Sequence, residues 1–116
     1  MGLDCYVQYD SKVEGSDEVK SIEVWYGRKE NEIHGWMQRK SGVEAGDFNC
    51  ERLYLTREMM VELDEDFRLG LLTPTSGFFF GAGSEAEWVG QKVNQIVDVV
   101  NKCLDNGLKP YYFSWW

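Results

Sequence analysis

His34 is the only histidine of the chain and lies in the run Trp25-Tyr26-Gly27-Arg28-Lys29-Glu30-Asn31-Glu32-Ile33-His34-Gly35-Trp36. An imidazole titrates near neutrality and can move a proton, while the neighbouring guanidinium of Arg28 can receive a phosphate or carboxylate. Trp25 and Trp36 supply aromatic walls, and Asn49, Asp4 and Glu23 are possible orienting partners for the imidazole. A second aromatic run, Ser76-Gly77-Phe78-Phe79-Phe80-Gly81, is flanked by glycines. Arg28, His34, Trp25, Trp36, Asn49, Ser76 and Gly77 therefore form the candidate ligand-binding set, of the kind that walls a small polar pocket. Tyr26, the phenylalanines and Trp115-Trp116 are further candidates for stacking on a planar group.

Each of these features also has a plainer reading. A lone histidine beside tryptophan is commonly a core ring bonded at a helix end, and Arg28-Lys29 can be a solvated helix start. Ser76-Gly77 lacks the GxSxG pattern, and no second histidine exists to complete a hydrolase triad. Gly81-Ala82-Gly83-Ser84 could present amides to an anion, but capping of the next helix by Ser84 already accounts for it. No complete catalytic constellation emerges, so a non-enzymatic binder is preferred to an enzyme.

The elements that must position these residues follow from periodicity. Leu3, Cys5, Val7 and Tyr9 alternate with polar neighbours, which predicts a strand over Leu3–Tyr9, and Ile22, Val24 and Tyr26 predict a second over Ser21–Tyr26, paired with the first as a hairpin. Ile33, Trp36 and Met37 then fall at helical intervals, with Gly35 as the weak point. Ser41–Glu51 reads as a loop and Leu53-Tyr54-Leu55 as a short strand. Thr56 offers a cap to a helix carrying Met59, Met60, Leu63 and Phe67 and stopping near Gly70. The acidic far side of that helix, Glu62, Asp64, Glu65 and Asp66, is expected to face water. Thr73-Pro74-Thr75-Ser76-Gly77 is turn chemistry. Ser84 with Glu87 predicts a capping box for a long helix whose stripe runs through Trp88, Val89, Val93, Ile96, Val97, Val100 and Leu104 to Asn106-Gly107. The aromatic run 111–116 should be tied into a sheet, since a loose end would expose a large apolar patch. Strands and helices do not alternate strictly. The expected fold is a single α+β domain over residues 1–116, with a mixed or mainly antiparallel sheet packed against about three helices.

Composition narrows the functional classes. Hydrophobic residues make up 43% of the 116, which suits a folded core, and twenty acidic against twelve basic residues give a formal charge of −8. That charge repels phosphate backbones and anionic lipid, so direct nucleic-acid binding and membrane binding are not expected. Cys5, Cys50 and Cys103 are an odd set without CxxC spacing, so no metal site and no cofactor is expected, and each cysteine reads as a small buried hydrophobe. Free thiols and the absence of a basic start followed by an apolar stretch suggest a reducing cytoplasm.

Several blocks together resemble a known group. The start Met1-Gly2-Leu3-Asp4-Cys5-Tyr6, the block Arg28-Lys29 through Ile33-His34-Gly35-Trp36, Asn49-Cys50, Leu53 to Glu58, and Pro74-Thr75-Ser76-Gly77-Phe78-Phe79-Phe80-Gly81 with Glu87-Trp88 resemble small phage and prophage proteins of uncharacterised function. Members of that group commonly carry methionine where Cys5 stands, and Tyr-Trp where Tyr26-Gly27 precedes Arg28. The resemblance implies a phage-encoded accessory protein acting in the bacterial host cytoplasm. Its expected partner is a host protein or a nucleotide-like small molecule. Two alternatives stand beside this reading. One is a small enzyme using His34 with Arg28 and a carboxylate on a phosphorylated or nucleotide substrate; the other is an acidic nucleic-acid mimic acting through Glu62, Glu65 and Asp66. The chain has no GxxxxGKS phosphate loop and is too short for a two-domain kinase.

Overall fold

In a computed structural model, residues 2–73 and 84–116 are described. The elements are β1 (Asp4–Lys12), β2 (Val19–Arg28), α1 (Asn31–Ser41), a 3-10 turn (Ala45–Asp47), β3 (Leu53–Tyr54), α2 (Arg57–Arg68), α3 (Ala86–Asp105) and β4 (Tyr111–Trp115). The strands form one antiparallel sheet in the order β2-β1-β4-β3, so the last strand is inserted beside the first and the short β3 closes the edge. The expected α+β class holds, with all pairings antiparallel.

Both hairpin strands run longer than their apolar alternation. Polar cross-strand pairs extend them, including Asp10 opposite Ser21 and Ser11 opposite Lys20. Val7 pairs with Trp25 and Gln8 with Glu23, which leaves Val24 as the extra residue of a bulge. Beyond the hairpin the chain turns sharply at Lys29, which adopts a left-handed φ of 55° while its N–H bonds the carbonyl of Leu3 at 2.7 Å. Helix α1 therefore starts at Asn31, later than a start at Arg28 would place it. Gly35 is accommodated inside this helix, in its buried stretch.

Thr56 caps α2 as its residue type predicts, its hydroxyl accepting from the Met59 N–H at 3.1 Å. That helix closes with the Leu71 N–H on the Asp66 carbonyl and a left-handed Gly70. α3 ends the same way, with the Leu108 N–H on the Cys103 carbonyl and Gly107 at φ 73°. Its start departs from expectation. Glu85 is the cap residue and makes no side-chain cap, and the Ser84 N–H bonds the Glu32 carboxylate, so the Ser84–Glu87 box does not form.

Alternation divides the sheet into two faces. Cys5, Val7, Trp25 and Tyr112 point into the core with Leu3, Ile33, Trp36, Met37, Phe48, Met60, Leu63, Val93, Ile96 and Val100. Helices α1 and α3 contribute to that layer and α2 packs on α3. Within the α3 stripe Val89, Val93, Ile96 and Val100 are buried, whereas Trp88 is exposed. Of the cysteines, Cys5 and Cys103 are buried as expected, but Cys50 is exposed at a left-handed φ of 61°.

Candidate functional site

His34 sits on α1 with its ring in the core, 1% exposed. Its Nδ1 and the Tyr112 hydroxyl are 2.8 Å apart, and the ring lies edge-on to Trp116 and tilted against Phe48 and Tyr112. Burial pushes the imidazole down to about 4, so it is neutral across the physiological range. The same Tyr112 hydroxyl meets the Cys5 thiol, and burial pushes both of these groups up, the thiol to about 12. A sealed neutral ring between uncharged partners is suited to joining a helix to a strand.

The other candidates disperse. Arg28 is exposed on the outward face, opposite Asp4 in the register, while His34 lies under the inward face. Trp25 is buried beneath α3, its indole N–H donating to Gln95 at 3.1 Å, and Trp36 joins α1 to α2 by donating to Asp66 at 2.8 Å. Asn49 clamps the backbone of Trp116, accepting from its N–H at 3.0 Å and donating to its carbonyl at 3.1 Å. Neither Asp4 nor Glu23 orients His34, because both lie on the outward face. Ser76, Gly77, the turn around them and the phenylalanine run fall outside the described residues. In α2, Glu62 pairs with Lys40 and Asp66 with Trp36, so part of the acidic side is engaged within the fold; Glu65 is exposed.

Two buried carboxylates flank the entry to α1. Glu30 receives the Trp88 indole N–H on both oxygens at 3.1 Å, and Glu32 receives the Ser84 N–H on one oxygen while the other has no hydrogen-bond partner among the described residues. Burial raises the Glu30 carboxyl, and the neighbouring Glu32 adds to the effect against the Trp88 bond and the Lys92 charge. Among the described residues, no group of three His, Cys, Asp or Glu is gathered as metal ligands. No helix among them is long and apolar enough to cross a membrane.

The outward sheet face carries the arrangement least explained by folding. Tyr26 of β2, Tyr6 of β1, Tyr111, Phe113 and Trp115 of β4 and Tyr54 of β3 all lie on it by strand alternation. Tyr6 is 5.2 Å from Tyr26 and 6.2 Å from Phe113, and Tyr54 is 5.6 Å from Tyr111, measured between ring centres. Trp115 is 55% exposed, Tyr54 51% and Tyr26 45%, too open to serve as core. Asp4, Asp10, Glu23, Arg28 and Arg52 are interspersed, and Arg52 stacks over Tyr111 at 4.3 Å while pairing with Asp10 at 2.6 Å.

Of these rings the sequence singles out Tyr26 and Trp115 as stacking candidates, and not Tyr6, Tyr54, Tyr111 or Phe113. The available signal was the strict alternation of 111–115, which sends Tyr111, Phe113 and Trp115 to one side once Tyr112 is placed in the core. Comparison with protein-family models, with curated proteins and with solved structures gave no match.

Proposed function

We propose that this protein is a non-enzymatic binding module whose contact surface is the outward sheet face, and that its partner is a protein. The single observation that carries this is the set of aromatic rings on the face opposite the helices, where Tyr26, Tyr6 and Phe113 pack in one group and Tyr54 packs on the buried Tyr111 in another, with Tyr26, Tyr54 and Trp115 exposed and both signs of charge among them. Tyrosine, tryptophan and arginine are the residues that dominate binding energy in protein interfaces, because they bury much surface with few rotors to immobilise. A broad open face suits a protein better than a small molecule, which is usually held in a concavity. The net charge of −8 favours a partner with a basic surface. The resemblance to small phage and prophage proteins supplies the setting, an accessory protein acting on a component of the bacterial host.

The test is affinity capture from host extract with wild-type protein and with Trp115→Ala/Tyr54→Ala, followed by cross-linking from a photoreactive residue at position 115. Both substitutions lie on the surface and should leave the melting temperature within a few degrees. The reading predicts a protein that is retained by wild type, cross-links through position 115 and is lost by the double variant. Identical retention by both proteins would defeat it.

A further inference from the structure

The outward face contains two similar corners on β1, one of them filled. At Asp10, the Tyr111 hydroxyl donates to one carboxylate oxygen at 3.1 Å, the Arg52 guanidinium pairs with the other at 2.6 Å, and that guanidinium lies 4.3 Å over the Tyr111 ring. At Asp4, the Tyr26 hydroxyl donates to one carboxylate oxygen at 2.6 Å. Tyr6 packs on Tyr26, Phe113 packs on Tyr6, and Trp115 stands opposite Asp4 in the β4 register. The parts are the same: a carboxylate with one oxygen engaged by a phenol, and aromatic faces beside it. What differs is the guanidinium, together with the Ser21 hydroxyl that also donates to Asp10 at 3.1 Å. Among the described residues no lysine or arginine forms an ion pair with Asp4, although Arg28 stands directly across the strand pair.

The geometry points to the Asp4 corner as a docking site for an arginine side chain of a partner protein, held by Asp4 and stacked on Tyr26, Tyr6 or Trp115 as Arg52 is held and stacked at Asp10. This deepens the face-binding reading above and rests on it. Charge supports the choice. Glu23 faces the same rings from β2, and both Asp4 and Glu23 act on the Tyr6 phenol as negative neighbours, so the local field favours a cation despite Arg28. Arginine is favoured over lysine because a planar guanidinium can stack on a ring and pair with a carboxylate oxygen at once, whereas an ammonium is a compact hydrated point charge.

The experiment is a titration of the ¹⁵N-labelled protein with a capped Gly-Arg-Gly-Arg-Gly peptide and its lysine and citrulline counterparts, following the Trp115 indole and the β1, β2 and β4 amides. The inference expects shifts confined to that corner, with the arginine peptide at least fivefold tighter than the citrulline one and lysine between them. Asp4→Asn retains an acceptor for the Tyr26 hydroxyl and should weaken the arginine peptide at least fivefold. Arg28→Ala removes a competing cation and should leave it as tight or tighter. Equal affinity for arginine and citrulline, no shift with any peptide, or a dimer that Arg28→Ala abolishes would each overturn it, the last in favour of a second copy of this chain. If the captured protein depends on Trp115 and Tyr54 but is indifferent to Asp4→Asn, the arginine docking fails while the face reading survives. If it is indifferent to all three, the face reading itself fails.

Discussion

The Nδ1 atom of His34 lies 2.8 Å from the hydroxyl of Tyr112, joining the first helix to the last strand across 78 positions of the sequence. Both residues are almost without contact with water. The bond places the chain's one imidazole inside the fold, on the side of the sheet away from Arg28.

Removing that ring should therefore cost stability. His34→Ala takes the imidazole partner from the buried Tyr112 hydroxyl and opens a cavity beside Phe48 and Trp116, and we expect a loss of about 3 kcal/mol, read by urea denaturation. Tyr112→Phe removes the hydroxyl that both His34 and Cys5 meet and should cost about 1–2 kcal/mol. A change within experimental error in both variants would contradict the structural role.

The same burial predicts a pH dependence. The folded imidazole titrates at about 4 against 6.5 for the ordinary group, so between these values the unfolded chain binds the extra proton. His34 therefore favours unfolding progressively as pH falls from 6.5 to 4, by up to roughly 3 kcal/mol, and contributes no pH dependence above that window. His34→Gln should flatten this part of the stability curve relative to wild type, measured by denaturation at matched ionic strength.

Glu30 behaves in the opposite sense. Its carboxyl is raised by burial, so the folded state holds the proton more tightly and stability falls as pH rises from the ordinary carboxylate range through the raised value. Trp88→Phe removes the indole N–H that serves both oxygens and should destabilise the protein by about 1–2 kcal/mol at neutral pH, with a smaller loss in acid. Thermal melts of the variant at the two pH values provide the comparison.

Gly27 has no room for a side chain. A Cβ there would stand 2.5 Å from the Trp25 ring and 2.7 Å from the Glu30 side chain, in a buried corner where the indole is fixed by Gln95. Gly27→Ala should cost about 1–3 kcal/mol, whereas Gly46→Ala, which meets nothing within 4 Å, should stay within about 0.5 kcal/mol.

Asn49→Ala tests whether that side chain serves the fold. It releases both backbone bonds to Trp116, and faster amide exchange at Trp116 with a loss of about 1–2 kcal/mol is the expected result. Protection at Trp116 equal to wild type would show that the clamp is not needed.

What could be read along the chain was whatever depends on near neighbours. The hairpin came from alternation at Leu3, Cys5 and Val7, the α2 start from the Thr56 hydroxyl, and the α3 core stripe from apolar spacing at Val89, Val93, Ile96 and Val100. The aromatic tail was also legible as a strand, because so many rings could not remain loose. What tertiary structure alone decided was which side each ring faced and which distant group it met. The Ser84 amide turned to Glu32 and displaced the predicted capping box, Lys29 broke the chain before α1, and inserting β4 beside β1 put Tyr112 against His34 while sending Tyr111, Phe113 and Trp115 outward. The physical reason is that period-two alternation separates the two faces of a strand, but only the packing of other elements determines which face is covered. Aromatic residues that were equivalent in composition thereby became a sealed core on one side of the sheet, while on the other Tyr26, Tyr54 and Trp115 were left exposed.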